Sequence, residues 1–295
     1  MQPTFIMTRG IKEFGYFSPM KLEEAVTLLK RYGNRAVILA GGSDLLVDLK
    51  YRSAAPEYII NIKNISKMTK IQETRDGGLS IGALATIAQM CESKIIKKKY
   101  PSLHQATTEA FHSWQIRNAA TIGGNICRSS PASDTVPPLI TYDAQVKLVG
   151  SKGQRKVPLE DFFIGVGQNV VDREILTEVI LPPQKGSCGT AFLSLKRTSV
   201  DLCKLNCAVK VVMKKNRFDD IRIVLGAVSP TAVRAKKTEE ALRGKEASDE
   251  NIENAARKVP EDISPITDGR STAEYRRQVS QVVVRRLIKQ AVGSV

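Results

Sequence analysis

A chain of 295 residues, 42% apolar and 25% charged, has the balance of a globular protein and room for about two domains with buried cores, which excludes a disordered polypeptide. No apolar run reaches the roughly 18 residues of a membrane span, and Met1 to Ile11 offer neither a long apolar stretch nor a small-residue cleavage site, so no membrane span and no secretory leader are expected. The net charge of +15, from 45 Lys and Arg against 30 Asp and Glu, is concentrated in the last third; it suits a solvated surface, an acidic partner or an anionic cofactor.

In chain order, Ser18 and Pro19 read as the cap and first residue of a helix. Leu22, Ala25, Val26, Leu28 and Leu29 continue it at helical spacing, and Gly33 ends it. The apolar run Ala36–Ala40 reads as a buried parallel strand and leads into Gly41-Gly42-Ser43-Asp44. Tyr58–Ile62, Leu79–Ile81 and Gln145–Val149 read as strands, with Gly77-Gly78 as a hairpin turn. Ile87–Ser93, Ser102–Phe111 and Thr135–Tyr142 fit short helices, and Pro158–Phe163 one helical turn. Pro182-Pro183-Gln184-Lys185-Gly186 denies a regular element and reads as a domain boundary. Beyond it, Ala191–Lys196, Ala208–Met213 and Ile221–Val228 fit strands; Thr231–Leu242, Asp249–Val259 and Ala273–Val292 fit helices, a compact α+β unit.

The five cysteines, Cys91, Cys127, Cys188, Cys203 and Cys207, are odd in number and widely spaced, which fits a reducing, cytoplasmic setting rather than a disulfide framework. With Cys203–Met213 as a strand, Cys203 and Cys207 read as small hydrophobes on one face. With His104 and His112 the only histidines, no metal site is expected, and neither a hydrolase triad nor a paired-acid site stands out.

Two glycine pairs remain, Ala40-Gly41-Gly42-Ser43-Asp44-Leu45-Leu46 and Thr121-Ile122-Gly123-Gly124-Asn125-Ile126. Glycine lets backbone N–H groups approach an anion, and successive N–H groups form an anion-binding nest, so two such loops suit the two phosphates of a dinucleotide. Taken singly, each pair is equally an ordinary tight turn. There is no GxxxxGK[ST], and Gly165-Val166-Gly167-Gln168-Asn169-Val170 lacks the third glycine of GxGxxG, which disfavours a P-loop and a nicotinamide-binding Rossmann unit.

Five segments together resemble the FAD-binding subunit of the molybdenum hydroxylases, the family of the carbon monoxide dehydrogenase medium subunit and the xanthine dehydrogenase flavin domain. They are AGGSDLL at 40–46, SIGALATIAQM at 80–90, QIRNAATIGGNICRSSPASDTVPPL at 115–139, SLKRTSVDLCKLNCAV at 194–209 and DGRSTAEYRRQV at 268–279. The resemblance spans about residues 12 to 292. It implies an α+β protein: a two-part FAD-binding domain of the vanillyl-alcohol oxidase (PCMH) type over 1–181, with halves of about 1–57 and 58–181. A smaller α+β domain over 187–295, a three-stranded sheet plus helices, follows.

The same resemblance assigns roles. Ile38, Leu39, Ala40, Gly41, Gly42, Ser43, Asp44 and Leu45 match the first phosphate loop, and Thr121, Ile122, Gly123, Gly124 and Asn125 the second. Asp134 matches an acid at the adenosine or phosphate end, or caps the following helix. Phe111 matches an aromatic beside the flavin, or packs in the core. Leu176 and Lys196 match positions that approach the ring, where a lysine tunes the flavin. Lys204 is a second basic candidate, or a solvated strand lysine. No residue is assigned a catalytic role. The four-cysteine insert of the branch that reduces aromatic coenzyme A thioesters is absent, so no further cluster is expected in this chain.

The implied function is electron transfer through FAD. A large partner subunit with a molybdenum cofactor oxidises the substrate, a small subunit with [2Fe–2S] clusters passes the electrons on, and NAD or another acceptor receives them, in an assembly expected to be a dimer of heterotrimers. Three alternatives stand beside this. A self-contained FAD-dependent reductase of the cell-wall precursor type has a different second domain. A subunit that lost FAD would not need both glycine loops. A nucleic-acid-binding protein would explain the charge, but 5% aromatics with no zinc-finger or RNP pattern argue against it.

Overall fold

The computed structural model describes residues 10–184, 186 and 188–295. Most of the expected leader-free N-terminus, Met1 to Arg9, lies outside the described residues, as do Lys185 of the expected linker and Ser187, where the second domain was expected to start.

The chain begins with a small parallel sheet of β1 (Gly15–Phe17), β2 (Ala36–Leu39) and β3 (Tyr58–Asn61), ordered β1-β3-β2. Helix α1 (Leu22–Tyr32) follows β1 and buries Ala25 and Leu29. It starts later than Ser18 and Pro19 suggest. The Ser18 hydroxyl accepts from Asn64 Nδ2 at 3.1 Å instead of capping, and Lys21 stands at the helix start. Helix α2 (Leu45–Tyr51) follows β2.

The next unit is an antiparallel sheet. Its strands are β4 (Ile71–Glu73), β5 (Leu79–Gly82), β6 (Gln145–Gly150), β7 (Gly153–Pro158) and, after the small hairpin β8 (Phe163–Gly165) and β9 (Gln168–Asn169), β10 (Glu174–Leu181). The order β4-β5-β10-β6-β7 places the last strand in the centre. Gly77, at φ 86°, makes the β4–β5 turn. Between β5 and β6 run six short helices: α3 (Ile87–Glu92), α4 (Lys94–Lys99), α5 (Pro101–Glu109), α6 (Trp114–Ala119), α7 (Ile122–Cys127) and α8 (Val136–Thr141). They stay short because caps and prolines punctuate them: Thr86, Ser93, Ser113 and Thr121 cap α3, α4, α6 and α7, and Pro101 opens α5. The first two units share one core, in which Leu79, Ile81, Val146, Leu148 and Phe162 pack under Ala25 and Ile60.

The last unit has its own core. Strands β11 (Cys188–Leu195), β12 (Leu205–Lys214) and β13 (Arg217–Gly226) form a long meander, and the two-residue β14 (Val233–Arg234) adds a fourth strand. Helices α9 (Lys236–Leu242), α10 (Asp249–Ala256) and α11 (Ala273–Val292) follow. The helix expected over Thr231–Leu242 thus begins at Lys236, because Val233 and Arg234 pair with Leu225 and Val224. The helix expected to reach Val259 stops at Ala256, and Pro260 helps set a separate 3₁₀ turn there. Cys207 is buried within β12, but Cys203 precedes that strand and its Sγ faces the Ala132 carbonyl of the other unit. The two cysteines therefore do not share one strand face. No helix among the described residues is long and apolar enough to cross a membrane.

Arg276 anchors this unit. Only 2% of its side chain is exposed. It donates to both carboxylate oxygens of Asp268 at 2.9 and 3.0 Å, to the Ile266 carbonyl at 2.6 Å and to the Lys204 carbonyl at 2.9 Å. Burial pushes the Asp268 carboxyl up, but the Arg270 and Ser271 amides and the guanidinium outweigh it and hold the group below its ordinary 3.8. A carboxyl held low contributes stability that is complete above the ordinary value and lost as pH falls through the depressed one. Arg276→Met is expected to cost about 3 kcal/mol in urea unfolding at neutral pH. It should also shrink the stability lost on acidification below about pH 4.

Candidate functional site

Strand β2 delivers the chain into the loop Ala40–Asp44. A Cβ on Gly41 would sit 2.2 Å from the Ala119 carbonyl oxygen, so only glycine lets this loop lie against the end of α6. Gly42, at φ 85°, then turns the chain into α2. Among the described residues the backbone N–H groups of Gly41, Gly42, Ser43 and Asp44 have no hydrogen-bond partner. Four successive unspent donors in one turn form a nest for an anion.

The second glycine loop is built differently. The Ile122 and Gly123 N–H groups donate to the carbonyls of Ala85 and Ala83 at 3.0 and 2.9 Å. Those of Gly124 and Asn125 donate to the Thr121 hydroxyl and carbonyl at 3.1 and 2.9 Å. The expectation that both loops offer backbone donors is corrected here: the second loop has already used its own on β5's continuation and on its cap. Gly123 serves contact, since a Cβ there would lie 2.7 Å from that of Ala83. Of its residues, Thr121, Gly123, Gly124 and Asn125 line the space opposite the first loop, and Asn125 alone of these carries a side-chain amide.

Between the loops lies a cavity of about 430 Å³. Of the residues expected from the sequence, it brings together Ile38, Ala40, Gly41, Gly42, Ser43, Asp44, Leu45, Thr121, Gly123, Gly124, Asn125 and Leu176. Leu39 and Ile122 face away, Leu39 onto Leu49 and Ile59, Ile122 into the main core. Three others stand off the cavity wall. Phe111 packs against Ala106, Ala110, Phe192 and Ala208, between α5 and the C-terminal sheet. Asp134 and Lys196 pair at 3.2 Å with about a tenth of each side chain exposed. The Lys196 ammonium also donates to the Ala110 carbonyl at 2.6 Å, and Asp134 Oδ1 accepts from Ser194 and Asn206, each at 2.8 Å. Lys204 lies in a separate hollow beside Arg197 and Arg270, with its Nζ 5.6 Å from the Tyr275 ring centre.

Sequence reasoning missed several wall residues. Val37, Ile62, Ala83 and Leu84 give the cavity an apolar lining, and Asn169, Val171, Glu174 and Ile175 come from the far side. Arg128 is its one cationic wall residue among the described residues; it pairs with Asp48 at 2.5 Å and lies 3.8 Å from Asp44. One signal pointed to it: Arg128 stands three residues after Asn125, about one helical turn on. Paired hydrogen bonds from Arg155 hold the Glu174 carboxyl below its ordinary 4.5, so it stands in this wall as an ion-paired carboxylate. Cys127 also lines the cavity and is exposed.

Comparison with known proteins places this geometry. Residues 12–184 match the family model described as the FAD binding domain in molybdopterin dehydrogenase, and residues 190–291 the CO dehydrogenase flavoprotein C-terminal domain. The chain is 33% identical to the carbon monoxide dehydrogenase medium chain of Hydrogenophaga pseudoflava over 94% of this chain and 96% of that one. It is 30% identical to a xanthine dehydrogenase FAD-binding subunit of Escherichia coli O157:H7, over 95% and 96%. A solved Hydrogenophaga pseudoflava carbon monoxide dehydrogenase superposes with a TM-score of 0.92 at 33% identity, covering 96% and 98% of the two chains. The second domain match favours the hydroxylase subunit over the self-contained reductase.

FAD is the cofactor of this chain, and the residues present suit it. The unspent amides at 41–44, the Asn125 amide and Arg128 would supply donors to a pyrophosphate, and Ile38, Ile62, Leu84 and Leu176 would wall its apolar surface. Gly41→Ala should force the first loop off Ala119 and lower FAD affinity ten-fold or more, on the scale of about 1–3 kcal/mol for overpacking. Gly269→Ala, whose Cβ meets nothing within 4 Å, should leave it unchanged. Flavin absorbance retained after desalting checks both. With two matched domains that together take in most of its length, the chain belongs to the family of FAD-binding subunits of the molybdopterin dehydrogenases.

Proposed function

We propose that this chain is the flavin-carrying electron-transfer subunit of a molybdenum-containing dehydrogenase. Electrons reach it from [2Fe–2S] clusters in a small partner subunit, supplied by a large subunit that holds the molybdenum cofactor, and leave to NAD or another acceptor. The observation that carries this reading is the cavity between the two glycine loops, with free amides on one wall and a side-chain amide on the other. Bound FAD supplies the chemistry, since a flavin takes electrons singly and can release them as a pair.

The protein residues divide the rest of the work. Gly41 to Asp44 and Asn125 hold the pyrophosphate. Leu176 and the apolar side chains of β2 and of Leu84 exclude water from the ring's surroundings. Phe111 and the Lys196–Asp134 pair occupy the seam between the domains. There they fix the C-terminal sheet relative to the cleft. Site roles for Leu39 and Ile122 reduce to packing behind the loops.

The five free cysteines and the absence of any described helix able to cross a membrane are compatible with a cytoplasmic protein. The net charge of +15 suits an acidic face on a partner subunit, and the assembly proposed is a dimer of heterotrimers.

The purified chain should show a visible flavin spectrum and release FAD on denaturation. Anaerobic NADH should bleach that band if NAD is the physiological acceptor, because the transfer is reversible. A bound flavin that NADH leaves oxidised would assign another acceptor, and a chain that takes up no FAD, alone or co-expressed with its partners, would contradict the reading.

A further inference from the structure

Asn125 lines the cavity and carries the one side-chain amide of the second loop, and its orientation is set from behind. Its Oδ1 accepts from the hydroxyls of Ser133 and Thr135, at 2.5 and 2.6 Å. Both hydroxyls are buried, Ser133 at 5% and Thr135 at 0% exposure, and neither has another acceptor among the described residues. That isolation decides which way the amide points. Were it turned over, Nδ2 would donate to the two hydroxyls, and each hydroxyl proton would be left buried without an acceptor. As it stands, each hydroxyl gives away its one proton, and both Nδ2 protons, without a partner among the described residues, are left for a group in the cavity that Asn125 lines.

The segment that carries these hydroxyls is fastened to the other domain. Asp134, between them, pairs with Lys196 and accepts from Ser194 and Asn206. The Asn206 amide also donates to the Ser133 carbonyl at 3.2 Å, and the Ala227 N–H donates to the Pro131 carbonyl at 2.7 Å. Alternate side chains thus face opposite ways: Ser133 and Thr135 to the cofactor loop, Asp134 to the C-terminal sheet.

We propose that Ser133 and Thr135 are positioning residues, which lock the Asn125 amide with its donors toward an anionic group in the cleft and draw their own placement from the C-terminal domain. The proposal rests on the reading that the cleft holds FAD, the pyrophosphate being the anion. It predicts that cofactor affinity depends on two buried hydroxyls that do not line the cavity.

The test is a double-mutant cycle on the full chain stripped of flavin, with FAD binding followed by flavin fluorescence. Ser133→Ala with Thr135→Val should weaken FAD binding roughly ten-fold, the scale of one misdirected donor. In an Asn125→Ala background the same pair should change affinity less than about two-fold, because no amide remains to be oriented. Ser133→Thr with Thr135→Ser, which keep both hydroxyls, should bind nearly as the parent does. An undiminished ten-fold loss in the Asn125→Ala background would overturn the proposal, since the hydroxyls would then act through general packing. So would a parent-like affinity of the Ser133→Ala, Thr135→Val chain while Asn125→Ala weakens binding. If Asn125→Ala itself leaves FAD affinity unchanged, the assignment of that wall to the pyrophosphate fails, and this role fails with it.

Discussion

The Asp134 carboxylate joins the two halves of the molecule. It leaves the FAD-binding domain just after the second glycine loop and is met by an ammonium, a hydroxyl and a carboxamide from the C-terminal sheet. With about a tenth of each charged side chain exposed, this pair is desolvated enough that losing one partner leaves a costly charge behind. The contact is therefore less a source of stability than a fixed point of geometry. The sheet of the second domain, the end of α5 held through Ala110, and the cofactor loop held through Ser133 and Thr135 all take their relative positions from it.

The two glycine loops look alike in sequence and meet different demands. In the first, Gly41 and Gly42 allow a close approach and a left-handed turn, and the result is a run of amides with no partner among the described residues. Buried or partly buried N–H groups are normally satisfied, so a run left open toward a cavity marks the place of a ligand. In the second, Gly123 lets a short helix press against Ala83, and the loop's amides are consumed by Ala83, Ala85 and the Thr121 cap. One loop offers backbone donors and the other a single oriented side chain. A pyrophosphate gripped between them is held by a nest on one side and a rigid amide on the other.

Much of this could be read from the residues. The glycine loops, the helix–strand–loop opening and the break at Pro182 were legible because each needs particular backbone freedom or lacks a donor. What was not legible depends on direction or distance. A contiguous motif suggests contiguous lining, but successive side chains alternate, so Leu39 and Ile122 turn into packing while their neighbours face the cleft. Asp134 and Lys196 are matched to the flavin by resemblance, yet their pairing spans 62 positions, and no spacing rule reports such a contact. Asn169 and Arg128 reach the cavity wall although no spacing rule marks either as a lining residue. Strand β14 has only two residues, too few to show a period, and its place is fixed by pairing with β13.

The central claim is that the two loops divide the work, open amides in the first and an oriented side chain in the second. Amide hydrogen exchange on the full chain, with and without FAD, tests it most directly. Exchange at Gly41, Gly42, Ser43 and Asp44 should be fast in the flavin-free chain and slow markedly when FAD binds. Exchange at Ile122 to Asn125 should be slow already and change little. Protection that instead appears mainly in the second loop, or no change at 41–44 on saturation with FAD, would contradict the account.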